Sequence, residues 1–288
     1  MLIYKSDSPE EFLRYDRAKV VVIPVPYEKT TSYGKGTVNG PAGICEASAQ
    51  VELYDEELGF EPYNIGIATI EQVKALDVLE KRAGDILKDK KIPISLGGEH
   101  TISAAPIRAC KKFYKNLSVI HFDAHADLRD EFEGTPLNHA CVMRRVHEAG
   151  VGIVHVGIRN HSLEEAEFMK KAKLNRPFYA HEIYNSDYWM EEALKLLTDD
   201  VYLSFDVDAF DPSVIPSTGT PEPGGMNWYQ VVNFFKMLAK EKNIVGADFV
   251  ELAPRKGDNG PDFTIAKLIY KLIGYIAKND RVAAFRLR

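Results

Sequence analysis

Cysteine is scarce in this chain. Cys45, Cys110 and Cys141 are scattered, form no CxxC pair and leave an odd one over, which speaks against a disulfide framework and against a thiolate zinc site. Long apolar runs are missing as well, since none approaches the roughly 20 residues that a membrane-spanning helix needs. The stretch Met1 to Glu11 has neither the basic cluster nor the apolar core of a secretory leader. The expectation is therefore a cytoplasmic protein with no membrane contact. Positive charge is in deficit: the net charge is -6, which opposes non-specific binding to nucleic acid and suits a cationic small molecule better. Finally, no Pro/Gly/Ser-rich linker, low-complexity tract or internal repeat divides the 288 residues, so 1–288 reads as one domain.

What is present is a soluble globular composition, 45% hydrophobic and 27% charged, which allows a sizeable core. Short apolar runs alternate with longer amphipathic ones: AKVVVIPV, KIPISL, LSVIHF, GIVHVGI, VYLSFDVD and IVGADFV. Their Val and Ile residues fall on consecutive positions, as strands covered on both faces require. That pattern predicts a parallel sheet inside a three-layer α/β/α fold. Helices are expected over Pro41–Leu53, Ile70–Asp89, Thr101–Tyr114, Tyr188–Leu197, Trp228–Glu241 and Thr264–Lys278, with Pro41 suited to a first turn. Two long glycine- and proline-bearing segments, Pro26 to Gly43 and Asp208 to Gly225, are of a length that is usually functional in a compact domain.

The chemistry concentrates at strand ends. LSVIHFDAHAD runs from an apolar strand into Asp123, His125 and Asp127 at alternate positions, which point one way in an extended chain. VYLSFDVD ends with Asp206 and Asp208, and IPISL leads into Gly97, Gly98, Glu99 and His100. In a parallel sheet these carboxyl ends share the edge where ligands bind. One Asp or His at a strand end is ordinarily a turn former, but four aspartates brought together with two imidazoles call for cations. Two divalent ions balance four carboxylates, and oxygen and imidazole ligands without thiolate favour Mn2+. His121 lies one step earlier in its strand and reads as a core histidine or one that backs the ligands. GGEH lacks the lysine and the frame of a nucleotide loop, so no nucleotide is expected.

Taken in series, HFDAHAD, SFDVD, GGEH and DPSVIPSTGTPEPGG resemble the ureohydrolase family of arginases and agmatinases, and the likeness extends from PYEKTTSYGKGTVNGPAGI to FVELAP. The resemblance implies an α/β fold with a mainly parallel sheet of about eight strands, a binuclear manganese centre and a homo-oligomer, trimeric or hexameric. By motif position it implies that His100, Asp123, Asp127 and Asp206 hold one ion, and that Asp123, His125, Asp206 and Asp208 hold the other. It also implies that Glu251 anchors the guanidinium, that Asp127 relays a proton to the departing amine and that His139 exchanges protons with solvent. The expected reaction is hydrolysis of agmatine to putrescine and urea, with aminopropylagmatine, yielding spermidine, as the alternative. The acidic trio Asp130, Glu131 and Glu133 is expected to repel a substrate carboxylate, disfavouring arginine. Other readings are a different guanidino or formimino hydrolase, a single-zinc deacetylase-like relative, a binuclear phosphoesterase, which lacks a basic phosphate cradle here, and a metal-stabilised binding protein without turnover.

Overall fold

A computed structural model describes residues 2–279; residue 1 and residues 280–288 of the expected 1–288 domain lie outside the described residues. In chain order the strands are β1 (Val20–Val25), β2 (Ile67–Thr69), β3 (Ile92–Gly97), β4 (Leu117–Phe122), β5 (Gly152–Ile158), β6 (Phe178–Tyr179), β7 (Asp200–Asp206) and β8 (Asn243–Val250). They form one parallel sheet in the order β2-β1-β3-β8-β7-β4-β5-β6. The helices are α1 (Gly40–Ser48), α2 (Leu76–Lys88), α3 (Ala104–Phe113), α4 (Val142–Glu148), α5 (Leu163–Lys171), α6 (Ala180–Ile183), α7 (Tyr188–Leu196), α8 (Trp228–Glu241) and α9 (Gly260–Lys278).

The consecutive β-branched residues serve two cores. In β1, Val20 and Val22 belong to the core that also holds residues of α1, α7, α8 and α9, whereas Val21, Ile23 and Val25 belong to the core that holds residues of α2, α3, α4 and α5. In β4, Ile120 and Phe122 join the first core and Leu117 and Val119 the second. Period-2 geometry with both faces covered makes the run apolar throughout, which is why the three-layer architecture could be read from the strands. Phe122, Phe205 and Phe249 lie in register next to the strand ends and stack with centroid spacings of 5.6 and 5.7 Å. They form a stiff floor under the carboxyl edge, and truncating Phe205 to alanine is expected to cost about 3–5 kcal/mol.

Several element boundaries differ from the sequence pattern. Residues 70–75 are extended, because Ile70 N donates to Val22 O and Val73 N to Pro24 O, so the chain stays bonded alongside β1 before α2 begins. Helix α1 stops at Ser48, where the buried Lys5 ammonium binds Ser48 O at 3.1 Å and Val51 O at 2.5 Å, taking the carbonyls of a last turn. Residues His100–Ser103 form a 3-10 turn before α3. The edge strands β2 and β6 are too short to show a pattern. Helix α5 had a readable start, Ser162 and Glu165 forming a capping box, yet its two turns carry too little periodicity to stand out.

Candidate metal centre and active site

The sheet order places β3, β8, β7 and β4 side by side, so Glu99 and His100 follow β3, Glu251 follows β8, Asp206 ends β7, and Asp123, His125 and Asp127 follow β4. Crossovers leave in opposite directions here, the place where a parallel sheet opens a crevice. Backbone packing keeps it tight. Gly98 N donates to Val25 O and Glu99 N to Tyr27 O, and a side chain on Gly98 would sit 2.0 Å from Tyr27 O, so the second glycine of GGEH serves close backbone approach. Asp127 and Glu251 both adopt left-handed backbone, with φ of 53° and 66°. A glutamate held there is strained, and such strain gathers where side chains must be aimed.

The four aspartates and two histidines converge. His100 Nδ1 lies 3.1 Å from Asp123 Oδ2, 3.1 Å from Asp127 Oδ2 and 3.3 Å from Asp206 Oδ2. His125 Nδ1 lies 3.4 Å from Asp123 Oδ1 and 3.1 Å from Asp208 Oδ2. Asp123 thus faces both sets, one oxygen to each. On its far side His100 Nε2 meets Ser204 Oγ at 3.0 Å, and Ser204 donates on to Asp248 Oδ1 at 2.8 Å. With Nε2 engaged, His100 Nδ1 is a buried atom without a hydrogen-bond partner, ringed by carboxylate oxygens. An orphan imidazole nitrogen among carboxylates is the donor set that a divalent cation satisfies, so these residues fit a metal centre. His121 Nε2 contacts Asp123 Oδ2 at 2.9 Å, and His121 Nδ1 contacts His155 Nδ1 at 2.8 Å, so His121 backs a carboxylate from inside the core.

The electrostatics record the crowding. Burial and the neighbouring Asp123 push Asp127 up to about 7, and burial, Asp208 and Asp123 raise Asp206. Asp123 stays depressed, because contacts with His121, His100 and His125 outweigh its burial. Burial pulls His100 and His125 down, but the surrounding carboxylates prevail and raise both, His125 to about 12. Burial also lifts Glu251 to about 8, although one of its oxygens accepts from His100 N at 2.6 Å.

A cavity of about 150 Å³ opens above these groups. It is lined by Glu251, His139, Phe132 and Arg129 and by residues of both long segments, Thr31 to Gly34 and Gly219 to Thr220. The two segments touch: Gly34 N donates to Gly219 O at 3.2 Å. Arg159, to which the sequence pattern assigned no role, holds the second one. Its guanidinium donates to the carbonyls of Asp208 at 2.6 Å, Glu222 at 2.7 Å, Gly157 at 3.1 Å and Pro223 at 3.1 Å. A lone arginine after GI carries no spacing signal, and only the fold shows what it binds.

The structure corrects the reading of the acidic trio. Asp130 pairs outward with Arg145 at 2.7 Å, Glu131 and Glu133 are exposed, and none of the three lines the cavity. Charged residues in a turn gain most from solvent, which is where these point. Carboxylates nearer the mouth are Glu165, which accepts from Leu128 N and Ser162 N, and Glu222, which accepts from Asn160 Nδ2 at 2.6 Å and lies 4.0 Å from His125 Nε2.

Comparison with known proteins agrees with this geometry. The family model described as Arginase matches residues 18–274. The chain belongs to the arginase family. A protein of Synechocystis sp. named N(1)-aminopropylagmatine ureohydrolase is 40% identical over 297 residues, covering 96% of this chain and 97% of that protein. The agmatinase of Pyrococcus horikoshii is 35% identical over 276 residues, covering 91% and 93%. Among solved structures, the agmatine ureohydrolase of Thermoplasma volcanium superposes with a TM-score of 0.85 at 30% identity, covering 96% and 95%. This chain is accordingly an arginase-family ureohydrolase of the agmatinase type, a hydrolase of C–N bonds with an arginase-like fold. Among its described residues no helix is long and apolar enough to cross a membrane.

Proposed function

We propose that this ureohydrolase cleaves the guanidino group of an amine-tailed guanidine, adding water to release urea and a free amine, with two Mn2+ as its cofactors. The observation that carries the reading is the pair of ligand sets meeting at Asp123 with Glu251 beside them: the cluster suits cations, and Glu251, a buried carboxylate that lines the cavity, suits a guanidinium. His100, Asp123, Asp127 and Asp206 would hold one ion and Asp123, His125, Asp206 and Asp208 the other. Bound there, the ions would supply the Lewis acidity that makes water a competent nucleophile near neutral pH.

The chain's own residues account for the rest. Glu251 accepts the guanidinium's N–H groups in a fork, and the arriving positive charge draws its raised pKa back down, so the carboxylate ionises as it binds. Asp127, a carboxylate of the cluster that also lines the cavity, takes the proton released in attack and passes it to the departing nitrogen. His139 lines the cavity, and burial lowers its pKa, so it is neutral at pH 7 and able to exchange protons between the site and solvent.

For the substrate we favour N1-aminopropylagmatine, on the name of the 40% identical Synechocystis relative, with agmatine as the second reading, on the name of the Pyrococcus horikoshii relative. The products would be spermidine or putrescine with urea, and the small cationic guanidine is the expected partner of a homo-oligomeric, cytoplasmic enzyme. The test is urea release by Mn2+-loaded protein from aminopropylagmatine, agmatine, arginine and guanidinobutyrate in parallel. Preference for either amine-tailed compound supports the reading and ranks the two. Preference for a carboxylate-tailed compound overturns the substrate assignment, and no urea from any overturns the activity.

A further inference from the structure

Glu99 is fully buried beside the centre, yet none of the steps above uses it. Its carboxylate accepts from Lys29 N, from Thr30 N at 2.6 Å, from Thr30 Oγ1 at 2.6 Å and from Thr101 Oγ1 at 2.7 Å. A carboxylate only accepts, so both threonine hydroxyl protons are committed to it. The 3.4 Å contact between Thr30 Oγ1 and Thr101 Oγ1 is then left without a proton to share. Thr30 Oγ1 retains only lone pairs, and two groups of His139 face them: its backbone N at 3.2 Å and its ring Nδ1 at 3.3 Å. Both must donate. A neutral His139 therefore carries its ring proton on Nδ1, leaving the Nε2 lone pair free, with Ser32 Oγ 3.5 Å away. Phe132 meets the ring edge-on at 6.2 Å, which limits its rotation.

We infer that Glu99, acting through the Thr30 hydroxyl, is a positioning residue that fixes His139 as the Nδ1–H tautomer, so that Nε2 is the atom that accepts and releases protons at the cavity. The inference rests on the reading of His139 as the proton carrier, and the test separates the two. It uses protein with 15N-labelled histidine, loaded with diamagnetic Mg2+ for the spectra, because paramagnetic Mn2+ would broaden a ring this close, and with Mn2+ for urea kinetics, as wild type, Thr30→Val, Thr30→Ser and His139→Asn, the last identifying the His139 resonances. Valine keeps the threonine shape and removes only the hydroxyl, while serine restores it.

In the wild type the expected spectrum has a protonated Nδ1 and a bare Nε2, and Thr30→Val shifts the ring toward the other tautomer with a fall in kcat of about 10- to 100-fold, the size that loss of an orienting partner gives at metal-ligating histidines. Thr30→Ser returns both readouts toward wild type. A wild-type ring protonated on Nε2, or a Thr30→Val spectrum identical to wild type, overturns the tautomer assignment. A shifted tautomer with unchanged kcat upholds the positioning but removes His139 from proton transfer, as would full activity in His139→Asn. Equal loss in Thr30→Ser and Thr30→Val assigns the effect to loop packing and overturns the role of the hydroxyl.

Discussion

Two acidic clusters in this molecule are built on opposite plans. At one, Asp55 and Glu57 meet the side chain of Lys271 from α9 at 2.9 and 3.1 Å, with Tyr275 Oη donating to Glu57 at 2.7 Å and Lys236 pairing with it from α8 at 2.8 Å. The protein brings its own cation. Burial pulls Lys271 down, but hydrogen bonds to Asp55 and Glu57 outweigh it and hold it raised. Hydrogen bonds from Lys236, Tyr275 and Lys271 overcome the partial burial of Glu57 and hold it down at about 2. At the other cluster Asp123, Asp127, Asp206 and Asp208 have imidazoles for company, and among the described residues no lysine or arginine pairs with any of them. Buried charge matched by a lysine ties elements together, whereas buried carboxylates matched only by imidazoles and by protons that a cation can displace make a ligand site.

The comparison can be broken at either end. The largest effect is expected from Asp123→Ala, which removes the residue that faces both ligand sets: urea formation should vanish, and inductively coupled plasma analysis should find less metal per subunit. Glu251→Gln should leave metal content unchanged and weaken transition-state binding by about 2–5 kcal/mol, the usual loss when one partner of a buried charge pair is removed; kcat/KM for urea release reads it. Lys271→Met leaves Asp55 buried without its cation and should destabilise the fold by about 3–5 kcal/mol. Thermal melting checks that, and the specific activity of the folded fraction should hold. If Lys271→Met instead melts like wild type, the paired plan of that cluster is wrong.

A smaller effect sharpens the contrast through pH. Asp127 and Glu251 have raised folded values of about 7 and about 8, so the metal-free fold binds more protons than the unfolded chain between the ordinary carboxylate range and those values. Metal-free stability should therefore decline as pH rises through that window. Mn2+ replaces the protons, so the gap in Tm between loaded and chelated protein should widen from pH 5 to pH 8. A constant gap counts against the unmatched-charge reading. Glu57 has the opposite sign: its contribution is complete above the unfolded value near 4.5 and is lost as pH falls toward 2. Glu57→Gln should flatten that acid loss, modestly because the group is a third exposed.

Much of the site was legible in the chain because the ligands sit at fixed offsets from strands whose apolar runs are unmistakable. Asp123, His125 and Asp127 follow β4, and Asp206 ends β7 with Asp208 two residues on, so parity and strand ends alone grouped them. The acidic trio failed for the converse reason: Asp130, Glu131 and Glu133 lie in a turn, where sequence carries no information on direction, and Arg144 and Arg145 from α4 draw Asp130 outward. The roles of Arg159 and Glu99 were not legible because their partners are backbone carbonyls, amides and threonine hydroxyls, most of them about 50 to 70 residues away, and such contacts leave no periodic trace.

The sequence by itself determined the layers, the parallel sheet and the residue types gathered at its carboxyl edge, because period-2 packing on two cores and strand-end motifs are local properties of the chain. Only the tertiary structure decided which carboxylates meet a lysine and which do not, how the two long segments close over the cavity, and which proton each hydroxyl gives away. Those outcomes depend on contacts between loops, helices and the segments after strand ends, which are far apart in the chain.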